Sequence, residues 1–188
     1  IKSKERKPAA LLFFMFFSIV SATITGAAVR DAIFLTQFDK SYLPVMFITI
    51  AVVMAGVIAL YKKLTAGQDQ IFMISISGAL FSVSLFLLQS NLSGLFIPVL
   101  YIWMEVVTIL SIFQFWILAG EIFNARQAKR IFTLLGAGGS FAGMGAGYGI
   151  KPFVSTFGSE NLLFLTIFFI GLSVVMAQML RPFRMSRK

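Results

Sequence analysis

The chain has no cysteine and no histidine among its 188 residues, and only seven Asp or Glu side chains. Without thiols or imidazoles there is no disulfide, no thiol nucleophile and no imidazole base. Histidine-ligated haem and nearly all zinc sites are excluded too. A metal bound only by oxygen remains open in principle, but nothing signals one. Neither a metal nor a cofactor is expected. The lack of cysteine carries no information about redox compartment. Charge is scarce as well, at 12% of residues, against about 25% in a soluble domain. A soluble domain of this length needs polar surface to cover its core, and this composition does not supply it.

What is present is apolar. Hydrophobic residues make up 59% of the chain, with 22 Phe and 15 Gly, and the mean hydropathy is +0.92. Glycine is more frequent in membrane helices than in soluble ones. These features predict an all-α polytopic membrane protein forming one compact unit over residues 1–188. The chain starts at Ile1 rather than Met, so a missing N-terminus of the gene product is expected. A cleavable signal peptide is not, because the first apolar run is too long and no small-residue cleavage site follows it.

About 20 apolar residues cross the hydrocarbon core. Runs of that kind predict six spans, at 9–35, 43–61, 71–88, 95–119, 131–150 and 162–180. Pro8 and Pro44 precede spans, where a missing N–H costs little. Pro152 and Pro182 follow spans and are expected to help stop them. Barrel strands are excluded, since they would alternate over about 10 residues.

The basic residues orient the spans. Thirteen of the sixteen Lys and Arg fall on one predicted side. They are Lys2, Lys4, Arg6 and Lys7 at the N-terminus, then Lys62 and Lys63, then Arg126, Lys129 and Arg130. Arg181, Arg184, Arg187 and Lys188 follow at the C-terminus. The other side holds Arg30, Lys40 and Lys151. Cytoplasmic loops carry the Lys/Arg excess, which predicts a cytoplasmic (inner) membrane protein with both termini cytoplasmic. The same distribution accounts for the net charge of +9 through the anionic leaflet surface. No nucleic-acid partner is needed; the first partner expected is the lipid bilayer.

Glu105 lies near the middle of the fourth span, roughly 3 Å from the bilayer centre at 1.5 Å per residue. An ionisable group at that depth costs a few kcal/mol unless it has a partner or a wet cavity. Two readings stand. One is a protonated carboxyl bonded to a neighbouring helix, and the other is a cavity-lining site, the default for an intramembrane charge. Arg30 and Asp31 interrupt the first span. Arg30 lies about 12 Å above the centre, where an interfacial pair that snorkels and a functional pair are equal alternatives. Neighbours in sequence do not face each other on a helix, so separate partners are expected for Arg30 and Asp31. Arg30 and Glu105 differ by about 9 Å in depth, a gap that a long side chain and helix tilt can close.

The fifth span repeats glycine every four residues at Gly139, Gly143 and Gly147, beside a second small face at Gly138, Ala142 and Ala146. Such stripes let another helix approach closely. Phosphate-cradling fingerprints fail: position 141 is Phe where the dinucleotide motif needs Gly, and no Gly-Lys pair occurs. The loop around 120–130 reads either as a solvated turn or as an ion-pair latch of Glu121 with Arg126 and Lys129, weak if exposed.

The stretch from Phe115-Trp116 to Ala128-Lys129-Arg130-Ile131-Phe132, ending in Leu134-Leu135-Gly136-Ala137-Gly138-Gly139, resembles the ATP/ADP translocase family. These are nucleotide exchangers of intracellular bacteria and plastids. The resemblance implies a branch of the twelve-span major-facilitator transporters, of which six spans would form the N-terminal half. A second six-helix half is then an expected partner, from the same polypeptide or a second copy. Where the family carries Lys-Asp in its first helix this chain has Arg30-Asp31. Where the family carries a Glu in its fourth helix it has Glu105. The resemblance implies that these positions bind substrate, a nucleotide or another anion. Lys to Arg is a departure, because the two bind phosphate with different geometry.

Two functions compete. The first is half of a secondary transporter that exchanges an anionic metabolite by alternating access about a midplane site. The second is a non-transporting scaffold or sensor anchor that reuses the transporter fold, favoured by the few charges within the spans. An enzyme is not expected, since one intramembrane carboxylate without His, Cys or a second nearby acid makes no catalytic set.

Overall fold

A computed structural model describes residues 3–90 and 94–185. Lys2, Arg187 and Lys188, used above to orient the chain, lie outside the described residues. All regular structure among the described residues is helical. In chain order it comprises α1 (Ser3–Gln37), a one-turn 3₁₀ helix (Lys40–Tyr42), α2 (Leu43–Thr65), α3 (Gln70–Gln89), α4 (Phe96–Ile122), α5 (Ala125–Phe157), α6 (Leu162–Met179) and the short α7 (Arg181–Met185).

The hub is α1. It is apolar on all sides, as a helix surrounded by others must be, and it packs against α6, α5 and α4. The next layer joins α3 to α6 and α4, and α2 to α4. Only one face of α2 is buried, through Met46, Ile50 and Met54. Its Phe47, Ile48 and Val52 point outward, consistent with lipid contact.

Five described stretches are long and apolar enough to cross a bilayer: Glu5–Gln37, Lys40–Thr65, Gln70–Gln89, Phe96–Ile122 and Leu162–Met179. The expected sixth span, 131–150, is not among them. It lies in α5, where glycine replaces apolar side chains. At 33 residues, α5 is nevertheless about 50 Å long, and it lies beside α1. It also runs through Pro152 to Phe157, so Pro152 does not end the helix as expected. The hydroxyls of Ser155 and Thr156 donate to the Pro152 carbonyl, both at 2.9 Å. The chain turns only at Gly158, whose φ of 86° suits glycine. Lys151 is therefore a helical residue rather than a loop residue. Pro8 likewise lies inside α1, near its start.

The core has two apolar blocks. One gathers Val29, Phe34, Leu100, Met104 and Leu163. The other gathers Leu12, Met15, Phe115, Leu118 and Leu135. Between them lies a polar layer. Gln114 on α4 donates from Nε2 to Ser77 Oγ on α3 at 2.9 Å. Ser111 and Ser173 line two voids of about 10 Å³ each beside it. Inside the first block, Thr25 on α1 and Thr166 on α6 bond through their hydroxyls at 2.9 Å. Pairing these groups avoids the cost of orphaned polar atoms in an apolar interior.

Candidate functional site

Arg30 projects from α1 toward α4, where Tyr101 and Glu105 stand one turn apart on the same face. Its Nη1 donates to Glu105 Oε2. Its Nε donates to Asp31 Oδ1 at 3.2 Å. The guanidinium carbon sits 4.6 Å from the centre of the Tyr101 ring, within cation–π range. Phe34 packs against Tyr101, with ring centres 4.8 Å apart. Arg30 keeps 13% of its side chain exposed, Glu105 27% and Asp31 50%. The cation is thus the most enclosed member, and the two acids open progressively outward.

The structure brings together all three residues expected at a binding site. Separate partners for Arg30 and Asp31 were expected from helix geometry. Arg30 instead bends along its own helix, so that one arm reaches its neighbour and another crosses to α4. The depth gap between Arg30 and Glu105 closes through the length of the arginine. Tyr101 was missed by sequence reasoning. Its spacing of four from Glu105 was the available signal.

The glycine stripe behaves differently from its expectation. A β-carbon on Gly139 would lie 3.1 Å from the Phe16 ring, and one on Gly138 would lie 3.0 Å from the Phe13 carbonyl oxygen. The close face is therefore Gly138 and Gly139 against α1. Gly143 and Gly147 meet nothing within 4 Å. They line an open groove of about 650 Å³ with Ile24, Ile150 and Lys151.

At the bundle end bearing most of the basic residues, the loop around 120–130 follows the first of its two alternatives, the solvated turn, and the ion pairs lie elsewhere. Among the described residues no ion pair joins Glu121 to Arg126 or Lys129, which point into solvent. Glu121 pairs with Arg184 of α7, Oε2 to Nε at 2.8 Å. The same arginine donates from Nη1 to Asp69 Oδ2 at 2.6 Å. Asp69 caps α3 by accepting from Phe72 N–H at 3.0 Å. That bond, with Arg184 and Arg181 nearby, holds the Asp69 carboxyl below its ordinary range. The segment 124–127 serves instead as a capping box for α5, with Asn124 and Gln127 exchanging bonds.

No family profile, curated protein or solved structure matches the chain.

Proposed function

We propose that the chain is one six-helix bundle of a secondary transporter in the cytoplasmic membrane, with both termini on the cytoplasmic side. It would pass an anionic metabolite by alternating access, possessing in Arg30 the cation that recognises it. The observation that carries this reading is the Arg30–Glu105 pair, which joins α1 to α4 inside an apolar bundle. Arginine presents a planar fork of donors that suits a carboxylate or a phosphoryl group. Ionisable residues within membrane helices mark substrate paths by default. α5 completes the six spans in this reading, since it lies alongside α1. The outward faces of α2 and α5 are where a second bundle would dock. The likeness to ATP/ADP translocases makes a nucleotide the first anion to test.

The test is uptake of labelled ADP and of smaller anions into proteoliposomes holding the protein, wild type against Arg30→Gln. Uptake that the substitution abolishes supports the reading. Equal uptake by both removes Arg30 from the mechanism.

A second reading has its own observation. Arg30 is already matched by two carboxylates, so the site is well suited to a purely structural role. In that case the chain is a membrane scaffold or sensor anchor, and the wild type transports none of the anions.

A further inference from the structure

α5 parts from α1 beyond Gly139. Gly138 and Gly139 stand against Phe13 and Phe16, whereas β-carbons on Gly143 and Gly147 would meet nothing within 4 Å. The space so left is the groove of about 650 Å³, which falls within the usual size of a ligand site. Ile24, Ile150 and Val154 wall it with apolar atoms. Among the described residues that line it, the polar side chains are Lys151 and Ser155, one helical turn apart and therefore neighbours. The Ser155 hydroxyl donates to the Pro152 carbonyl at 2.9 Å. Lys151 has no carboxylate within ion-pair distance among the described residues. Its charge is open to an anion from outside the chain.

Depth narrows the choice of anion. The midpoint of α5, Ala125–Phe157, is Phe141. At 1.5 Å per residue, Gly143 lies about 3 Å beyond that midpoint and Lys151 about 15 Å beyond it. Half of the hydrocarbon core is also about 15 Å thick. With α5 across the bilayer and centred in it, the groove begins near the membrane middle and ends at headgroup level. It has the reach of one acyl chain, with a cation where a lipid carries its phosphate. Phe141, Met144 and Tyr148 lie outside the groove on a neighbouring face of α5, where they are exposed. That face stays available to a protein partner.

We propose that the groove is a binding site for an anionic phospholipid of the phosphatidylglycerol type. One acyl chain lies over Gly143 and Gly147 between Ile24 and Ile150, and the lipid phosphate meets the Lys151 ammonium. The glycines leave the space that the chain occupies. A zwitterionic lipid offers the same phosphate but holds its own cation beside it, which competes with Lys151. Selection is therefore by net charge. The inference rests on α5 crossing the membrane, as in the reading above, and not on transport.

The test is native mass spectrometry of the purified protein in detergent with phosphatidylglycerol or phosphatidylcholine added. Lys151→Gln should lower the affinity for phosphatidylglycerol about fivefold, the effect of one lysine at a lipid surface, and leave phosphatidylcholine unchanged. Gly147→Leu, which fills the groove, should lose bound phosphatidylglycerol although Lys151 is intact. Excess inorganic phosphate should not displace the lipid. If Lys151 merely snorkels to water, Lys151→Gln retains phosphatidylglycerol as well as the wild type does, and the site is overturned. Displacement by free phosphate also overturns it. So does a wild-type oligomer that Gly147→Leu splits without losing lipid, because the groove is then an interface between copies. The crossing of α5 is read separately in proteoliposomes, since the chain has no cysteine. An impermeant maleimide should label Arg126→Cys and Lys151→Cys from opposite sides. Labelling of both from one side overturns the crossing and the lipid site together, whereas opposite labelling without the fivefold loss overturns the lipid site alone.

Discussion

Gly138 on α5 and Phe13 on α1 approach so closely that a β-carbon on the glycine would lie 3.0 Å from the phenylalanine carbonyl oxygen. The obstacle is backbone, which cannot swing aside as a side chain can. Gly138→Ala should therefore lower the thermal unfolding midpoint in detergent, with a cost of about 1–3 kcal/mol from overpacking. A midpoint equal to wild type would mean that α5 sits farther from α1.

Gly143, five residues on, meets nothing within 4 Å. Gly143→Ala should be neutral or should raise stability by up to about 1 kcal/mol, the helix-propensity gap between the two residues. The pair of variants separates the face of α5 that packs from the face that lies open, and a drop for Gly143→Ala would refute that division.

Arg30 and Glu105 should show energetic coupling. Arg30→Gln leaves Glu105 without its cation, and Glu105→Gln leaves the guanidinium with Asp31 alone. The double variant should lose less than the two singles added together, by about 0.5–3 kcal/mol. Strictly additive losses in thermal or denaturant unfolding would show that the contact contributes nothing to stability.

The Asp69 carboxyl is held below its ordinary range, chiefly by the Phe72 N–H bond and also by Arg184. A carboxyl so depressed stabilises the fold above its unfolded value, and that contribution is lost as pH falls through the lower folded value. Unfolding midpoints measured from neutral pH into the acid range should fall. Asp69→Ala should weaken that dependence and cost about 1 kcal/mol at neutral pH, typical of a lost cap. An identical acid profile for the variant would locate the acid sensitivity elsewhere.

Five of the six expected spans coincide with helices long and apolar enough to cross a bilayer, because continuous apolar runs of membrane length leave few alternatives to a helix. The site was legible for a related reason. A charge deep in such a run is costly, so Arg30 and Glu105 declared themselves before their contact was known. The Arg184 link to Asp69 and Glu121 was not legible. It joins three segments that only the tertiary fold brings to one end, and surface charges there have no depth to single them out. The glycine stripe misled because small residues show that an approach is possible without showing which face receives it. Pro152 misled because its local effect is to break helices, yet α5 continues through it.

The side-by-side course of α1 and α5 has an electrostatic consequence. Gly138 and Gly139 meet Phe13 and Phe16, and farther along Ile24 borders the groove at Gly147 and Lys151, so the two helices run parallel. Their aligned peptide dipoles place two positive ends together, an arrangement that repels itself. Glu5 stands at that junction. It lies in the first turn of α1, it is buried, and it accepts from Gln127 Nε2 in the first turn of α5 at 2.8 Å. One carboxylate therefore offsets the positive poles of both helices, and the field of two backbones adds to its pairing with Arg130 Nη2 at 3.9 Å.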